Sequence, residues 1–133
     1  MTPENVVVAF WEAMQSNDFE KASEWLSVDY EGYWPQSSEL ISGRENFAAI
    51  NSHYPANGKW HFVMNSIVCE NDTVVTDVSV TDGVIQARAI TFHTVKDGLI
   101  HKQVEYWPDD FPAPEWRSQW VRIVQLNRNS PGA

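Results

Sequence analysis

The sequence holds a single cysteine, Cys69. One thiol excludes an intramolecular disulfide and any multi-cysteine zinc site. With no histidine beside it in sequence, Cys69 reads as a small buried hydrophobe. Positive charge is also scarce: nine Lys and Arg stand against eighteen Asp and Glu, for a net charge of −9. Nucleic acids and anionic membranes are gripped by clusters of Lys and Arg, and none is present, so neither is an expected partner. No glycine-rich phosphate loop and no Gly-x-Ser-x-Gly elbow occurs, which removes the usual support for nucleotide-dependent and serine-hydrolase chemistry. The histidines His53, His61, His93 and His101 are scattered, and no two have the i, i+4 spacing of a helical metal pair. Neither a metal nor a cofactor is expected, and His61 and His93 read as residues of an outer surface. No apolar run approaches the length of a membrane span. Met1 leads into a polar helix start rather than a basic segment and an apolar stretch, so the expected compartment is the reducing cytoplasm.

Aromatic residues are what the chain has in excess: seven Trp, four Tyr and six Phe in 133 residues. They bury large areas and serve cores, pockets and interfaces alike, so composition leaves those uses open. The length fits one domain, residues 1–133, around one core.

The order of elements is more informative. Thr2-Pro3-Glu4 combines an N-cap, a first-turn proline and an early acid, and Val6, Val7, Phe10, Ala13 and Met14 follow at helical spacing. Ser16-Asn17-Asp18 ends that helix and caps a second one carrying Phe19, Ala22, Trp25 and Leu26. Tyr30–Trp34, closed by Pro35, predicts a brief edge strand, and 36–40 a loop. Ser42-Gly43-Arg44-Glu45 has the spacing of a capping box, with Ser42 as cap of a third helix reaching about Ser52. From Lys59 the period becomes two, and strands are expected over 60–70, 73–80, 84–95 and 99–107. Asp82-Gly83 and Asp97-Gly98 are strong hairpin signals between them. Helices first and an antiparallel meander afterwards is an α+β plan. The tail, 108–133, is expected to lie on the sheet or on a dimer partner.

This plan resembles the nuclear-transport-factor-2-like superfamily, and within it the SnoaL-like group related to polyketide cyclases and ketosteroid isomerases. Phe10-Trp11-Glu12-Ala13-Met14 with Asn17-Asp18-Phe19-Glu20 looks like the family's first helix and turn. Ile41-Ser42-Gly43-Arg44-Glu45 looks like the entry to its third helix. Asp97-Gly98-Leu99-Ile100 with Glu105-Tyr106-Trp107 is similar to its last strand, and Pro114–Trp120 resembles a tail seen in SnoaL-like members. The resemblance implies a cone-shaped, cystatin-like α+β barrel: N-terminal helices on a curved antiparallel sheet, enclosing a pocket for a small molecule. It also implies a homodimer through the outer sheet face.

The chemistry carries over only in part. Ketosteroid isomerases use a carboxylate base with a tyrosine and a protonated aspartic acid as donors. The matching positions here are Phe10, Trp34 and Ile90, all apolar, which excludes that constellation. SnoaL-like cyclases place a carboxylate on the last strand, and Glu105 holds that position in kind. Epoxide hydrolases use an Asp-Arg-Asp group, for which Asp77, Arg88 and Glu105 are the candidates.

Strand alternation sorts the candidates by face. With Trp107 turned inward, Glu105, Gln103 and His101 share its face; with Ile90 inward, Arg88, Gln86 and Phe92 follow, and beside them Val75, Asp77 and Ser79. The opposite face of that last strand, Val74, Thr76, Val78 and Val80, is more apolar, which an outer-face dimer would explain. The resulting pocket is lined by Phe10, Met14, Trp34, Val75, Ile90, Phe92, Gln103 and Trp107, with Trp11 and Trp60 as further wall. Glu105 is its expected base, oriented by Arg88, with Asp77 as a second acid. The reactions this suits are cofactor-free isomerisation, cyclisation, hydration or dehydration of a compact apolar or cyclic substrate. A non-catalytic binding or assembly domain with a structural Arg88–Glu105 pair is the alternative, and an interaction module built on the aromatic tail a third.

Overall fold

A computed structural model describes residues 1–124. Helix α1 (Pro3–Gln15) starts where the cap signals place it: Thr2 Oγ1 accepts from Asn5 N–H at 3.1 Å. Its stripe of Val6, Val7, Phe10 and Met14, with Trp11, is buried. Helix α2 (Phe19–Ser23) is capped by Asp18 and stops before Leu26, which begins a strand instead. Helix α3 (Arg44–His53) corrects the cap expectation. Its N-cap is Gly43, at φ +85, and no side chain caps it.

Among the described residues there are six strands, two of them ahead of α3: β1 (Leu26–Trp34), β2 (Glu39–Ser42), β3 (His61–Glu70), β4 (Thr73–Thr81), β5 (Gln86–Lys96) and β6 (Leu99–Tyr106). They form one curved, unclosed sheet in the order β2-β1-β6-β5-β4-β3. Two details differ from expectation. The segment expected as a loop supplies the edge strand β2, so β1 is interior; and β1 runs parallel to β6, whereas the other pairs are antiparallel. At the β5–β6 turn Asp97 and Gly98 have φ +53 and +76, the left-handed pair that fits a two-residue hairpin to the strand twist.

The helices cover one face of the sheet. Facing the helices and buried are Val74, Thr76, Val78 and Val80 of β4 and Ala89, Thr91, His93 and Val95 of β5; Ser79 is also buried but on the opposite face, where Asn65 Nδ2 donates to its hydroxyl at 2.8 Å. The Val-rich face is therefore the core, since apolar area is removed from water there, and the inward assignment of Val75, Asp77, Arg88, Ile90 and Phe92 is reversed. His93, expected on the surface, is fully buried, whereas Cys69 is exposed. The tail runs past β6 into a 3-10 turn (Glu115–Trp120) with no buried residue; Trp116 and Trp120 are more than two-thirds exposed. Among the described tail residues, 108–124, none is buried.

Candidate functional site

A cavity of about 170 Å³ lies between the helices and the concave face of the sheet. Its deep wall comes from α1 (Phe10, Trp11, Met14), from Phe47 of α3 and from Tyr30 of β1; its sheet wall from Trp34, Phe62, Val80, Ala87, Gln103, Glu105 and Trp107. Tyr33, Tyr54 and Ile85 also line it and are exposed, so the cavity reaches the surface there. Among the described residues, no Lys, Arg or His lines it.

Register explains which polar groups meet. Thr76, Thr91 and Glu105 stand opposite one another across β4, β5 and β6, and Val74, His93 and Gln103 form the next row. Glu105 is the one carboxyl among the described lining residues. Its Oε1 accepts from the indole N–H groups of Trp34 (3.2 Å) and Trp107 (3.1 Å), and its Oε2 from the Thr91 hydroxyl (2.6 Å). These donors favour the anion, but burial outweighs them and raises the Glu105 pKa above the ordinary carboxyl value.

Behind Glu105 runs a second set of hydrogen bonds. The Tyr30 hydroxyl donates to Gln103 Oε1 (2.6 Å), which turns the amide nitrogen toward His93 Nδ1 (3.0 Å). The ring proton then belongs on Nε2, which donates to Thr76 Oγ1 (2.9 Å); the Trp11 indole donates to the same oxygen (3.2 Å). Burial pushes His93 down to about 3, so it stays neutral. Burial also raises the Tyr30 phenol well above its usual value, with the Glu105 charge adding to the effect. Tyr30 lies across Gly32: a Cβ there would come within 2.2 Å of its hydroxyl oxygen.

Of the expected site residues, the structure brings Phe10, Met14, Trp34, Gln103, Glu105 and Trp107 to the cavity. Val75, Asp77, Arg88, Ile90 and Phe92 lie on the opposite face of the sheet. Arg88 pairs there with Asp77, Nη2 to Oδ2 at 2.9 Å, with Asn65 Nδ2 on the same carboxylate at 3.3 Å. The expected Arg88–Glu105 pair is thus replaced by Arg88–Asp77, and Glu105 has no cation beside it among the described lining residues. Ile90, matched to an isomerase donor, is one residue out of phase; its inward neighbours are Ala89 and Thr91. His101 leaves the Gln103 face because β6 shifts register against β5 near Ile100, which is itself buried. It approaches Asp29 instead, at 3.9 Å. Sequence reasoning missed Tyr30, Phe62, Thr91 and His93, although the apolar alternation of β4 would have phased β5 correctly.

The sequence pattern described as the SnoaL-like domain matches residues 7–103. The chain belongs to the SnoaL-like family. Solved structures share the fold of this SnoaL-like protein. The "putative ketosteroid isomerase" of Kribbella flavida DSM 17836 superposes with a TM-score of 0.86 at 23% identity, covering 98% of this chain and 95% of that one. An NTF-2 like protein of unknown function from Burkholderia xenovorans LB400 gives 0.77 at 29% identity, over 92% and 95% of the two chains. An LEH-like epoxide hydrolase of M. tuberculosis gives 0.65 at 20% identity, over 80% and 82%. No curated protein matches the sequence.

Proposed function

We propose that this SnoaL-like protein binds a compact, mainly apolar small molecule and carries out acid–base chemistry on it through Glu105. The observation that carries the reading is one carboxyl with a raised pKa, clamped by two indoles and a hydroxyl on the wall of an aromatic cavity. A carboxyl perturbed by burial inside a cleft is the usual form of a general acid or base. With Arg88 on the other face, no cation among the described lining residues holds Glu105 as a carboxylate, and burial outweighs its three hydrogen-bond donors, so it is suited both to give and to take a proton. The reaction class is isomerisation, cyclisation, hydration or dehydration, and the carbon skeleton is small: an engineered protein cavity of about 150 Å³ accommodates benzene. A single ring fits the space found here, and a fused four-ring steroid exceeds it.

The reading rests on no cofactor and on no nucleic-acid or membrane partner. The dimer is proposed on the sheet's outer face, where Val63, Val68, Phe92 and Tyr106 are each 40% or more exposed. A thermal-shift screen against single-ring ketones, lactones, epoxides and amines tests the ligand class, because a ligand of the native state raises the melting temperature by mass action. A hit whose conversion Glu105→Gln abolishes supports the reading. Full turnover by that variant contradicts it.

A further inference from the structure

We infer that the cavity selects a compact organic cation, such as a protonated or quaternary amine, over a neutral molecule of the same shape. This rests on the pocket and on the Glu105 role proposed above, and adds the sign of the ligand's charge. Three observations carry it. First, Glu105 lies in the cavity without a basic partner among the described residues: none of the lining residues is Lys, Arg or His, and Arg88, the expected partner, is held on the far face by Asp77. A buried carboxylate is expensive unless a cation meets it, so the missing charge is one a ligand can bring.

Second, the remaining wall is aromatic. Trp11, Trp34, Trp60, Trp107, Tyr33 and Tyr54 all line the space, and ring faces attract cations, most strongly where water is excluded. Tyr54 meets Trp60 near-perpendicularly at 6.1 Å, so the wall near the opening offers rings in two orientations. Third, the whole molecule carries a net charge of −9, a field that raises the local concentration of cations and disfavours anionic ligands.

Charge selection by Glu105 makes binding depend on pH. The other titratable groups lining the cavity are the phenols Tyr30, Tyr33 and Tyr54, of which burial raises Tyr30 well above its usual value, and His93 behind the wall stays neutral down to about pH 3. Loss of cation affinity on acidification therefore reports Glu105.

The test compares choline with its neutral carbon isostere, 3,3-dimethylbutan-1-ol, by calorimetry on the full chain. Choline is expected to bind about ten-fold more tightly at pH 8. That ratio should shrink several-fold in Glu105→Gln, and in the unaltered protein as the pH falls to 5. The pH series keeps the test decisive should the variant fail to fold. Equal or tighter binding of the isostere overturns the charge selection and leaves the pocket reading in place. Choline preference that survives both loss of Glu105 and acidification overturns the role given to its carboxyl. Binding of neither compound at millimolar concentration overturns both readings.

Discussion

Half-buried Glu105 and fully buried His93 bias stability in opposite directions. The folded-state pKa of Glu105 is raised, so its proton stabilises the fold below the unfolded value of about 4.5 and that contribution is lost as pH rises through the folded value. His93 is depressed from 6.5 to about 3. Its contribution is complete above 6.5 and is lost as pH falls toward 3, with a slope of roughly 1.4 kcal/mol per pH unit for one proton. Between pH 4.5 and the raised folded value of Glu105, and below 6.5, the two slopes oppose each other. We therefore expect Glu105→Gln to be at least as stable as the parent at pH 7, since an amide oxygen still accepts from both indoles. Urea unfolding across pH 4.5–6.5 should show its stability climbing more steeply with pH, as the His93 slope is no longer offset. His93→Gln should flatten the acid limb between 6.5 and 3; an unchanged limb would contradict a neutral, buried His93. Glu105 was legible in the sequence because the last hairpin fixes its distance from Gly98. His93 was not, since a polar residue in an alternating strand gives no sign of the face it occupies.

At the scale of elements, strong local signals held and relative phases did not. Thr2, Asp18 and the Asp97-Gly98 turn act through groups within a few residues, so sequence displays them. The faces of β4 and β5 depend on which side the helices cover, and an anchor placed on Ile90 turned both strands over. Among the described residues the four-residue β2 pairs with β1 alone, and Ser42 lost the cap because Gly43, at φ +85, occupies that position. β1 also carries the feature that positions Tyr30. Gly32 leaves the space in which the phenol lies, and Gly32→Ala places a methyl 2.2 Å from its oxygen. That overpacking should cost about 1–3 kcal/mol and break the Tyr30–Gln103 hydrogen bond. Chemical denaturation reads the first effect, and phenol ultraviolet titration, with the Tyr30 pKa falling, the second. Parental stability in Gly32→Ala would show that the phenol is not held by this notch.

For the whole molecule, the aromatic surplus divides between a core, a cavity wall and an exposed remainder. Phe10, Trp11 and Phe47 are buried, Trp34, Trp60 and Trp107 are half-buried in the wall, and Phe111, Trp116 and Trp120 stand in water. Composition could not apportion them, because the division depends on chain path. The exposed group and the outer sheet face are the surfaces that a second copy would cover. Sedimentation should accordingly find a dimer at micromolar concentration, and Phe92→Lys should shift it toward monomer without disturbing the cavity on the other face. A monomer at every concentration would remove the dimer from the account. The SnoaL-like assignment rests on the order of elements and survives every local error of phase, whereas the site depends on the register that joins β6 to its neighbours.

The central claim is that Glu105 is a protonatable group of the cavity, perturbed by burial and accessible to a bound small molecule. Carbon-13 NMR of side-chain-labelled glutamate, with the Glu105 resonance assigned by its loss in Glu105→Gln, follows that carboxyl directly through a pH titration. The account predicts a midpoint above the ordinary glutamate value in the free protein, moving when a single-ring ligand occupies the cavity. A midpoint at or below that value, indifferent to every ligand that binds, would contradict it.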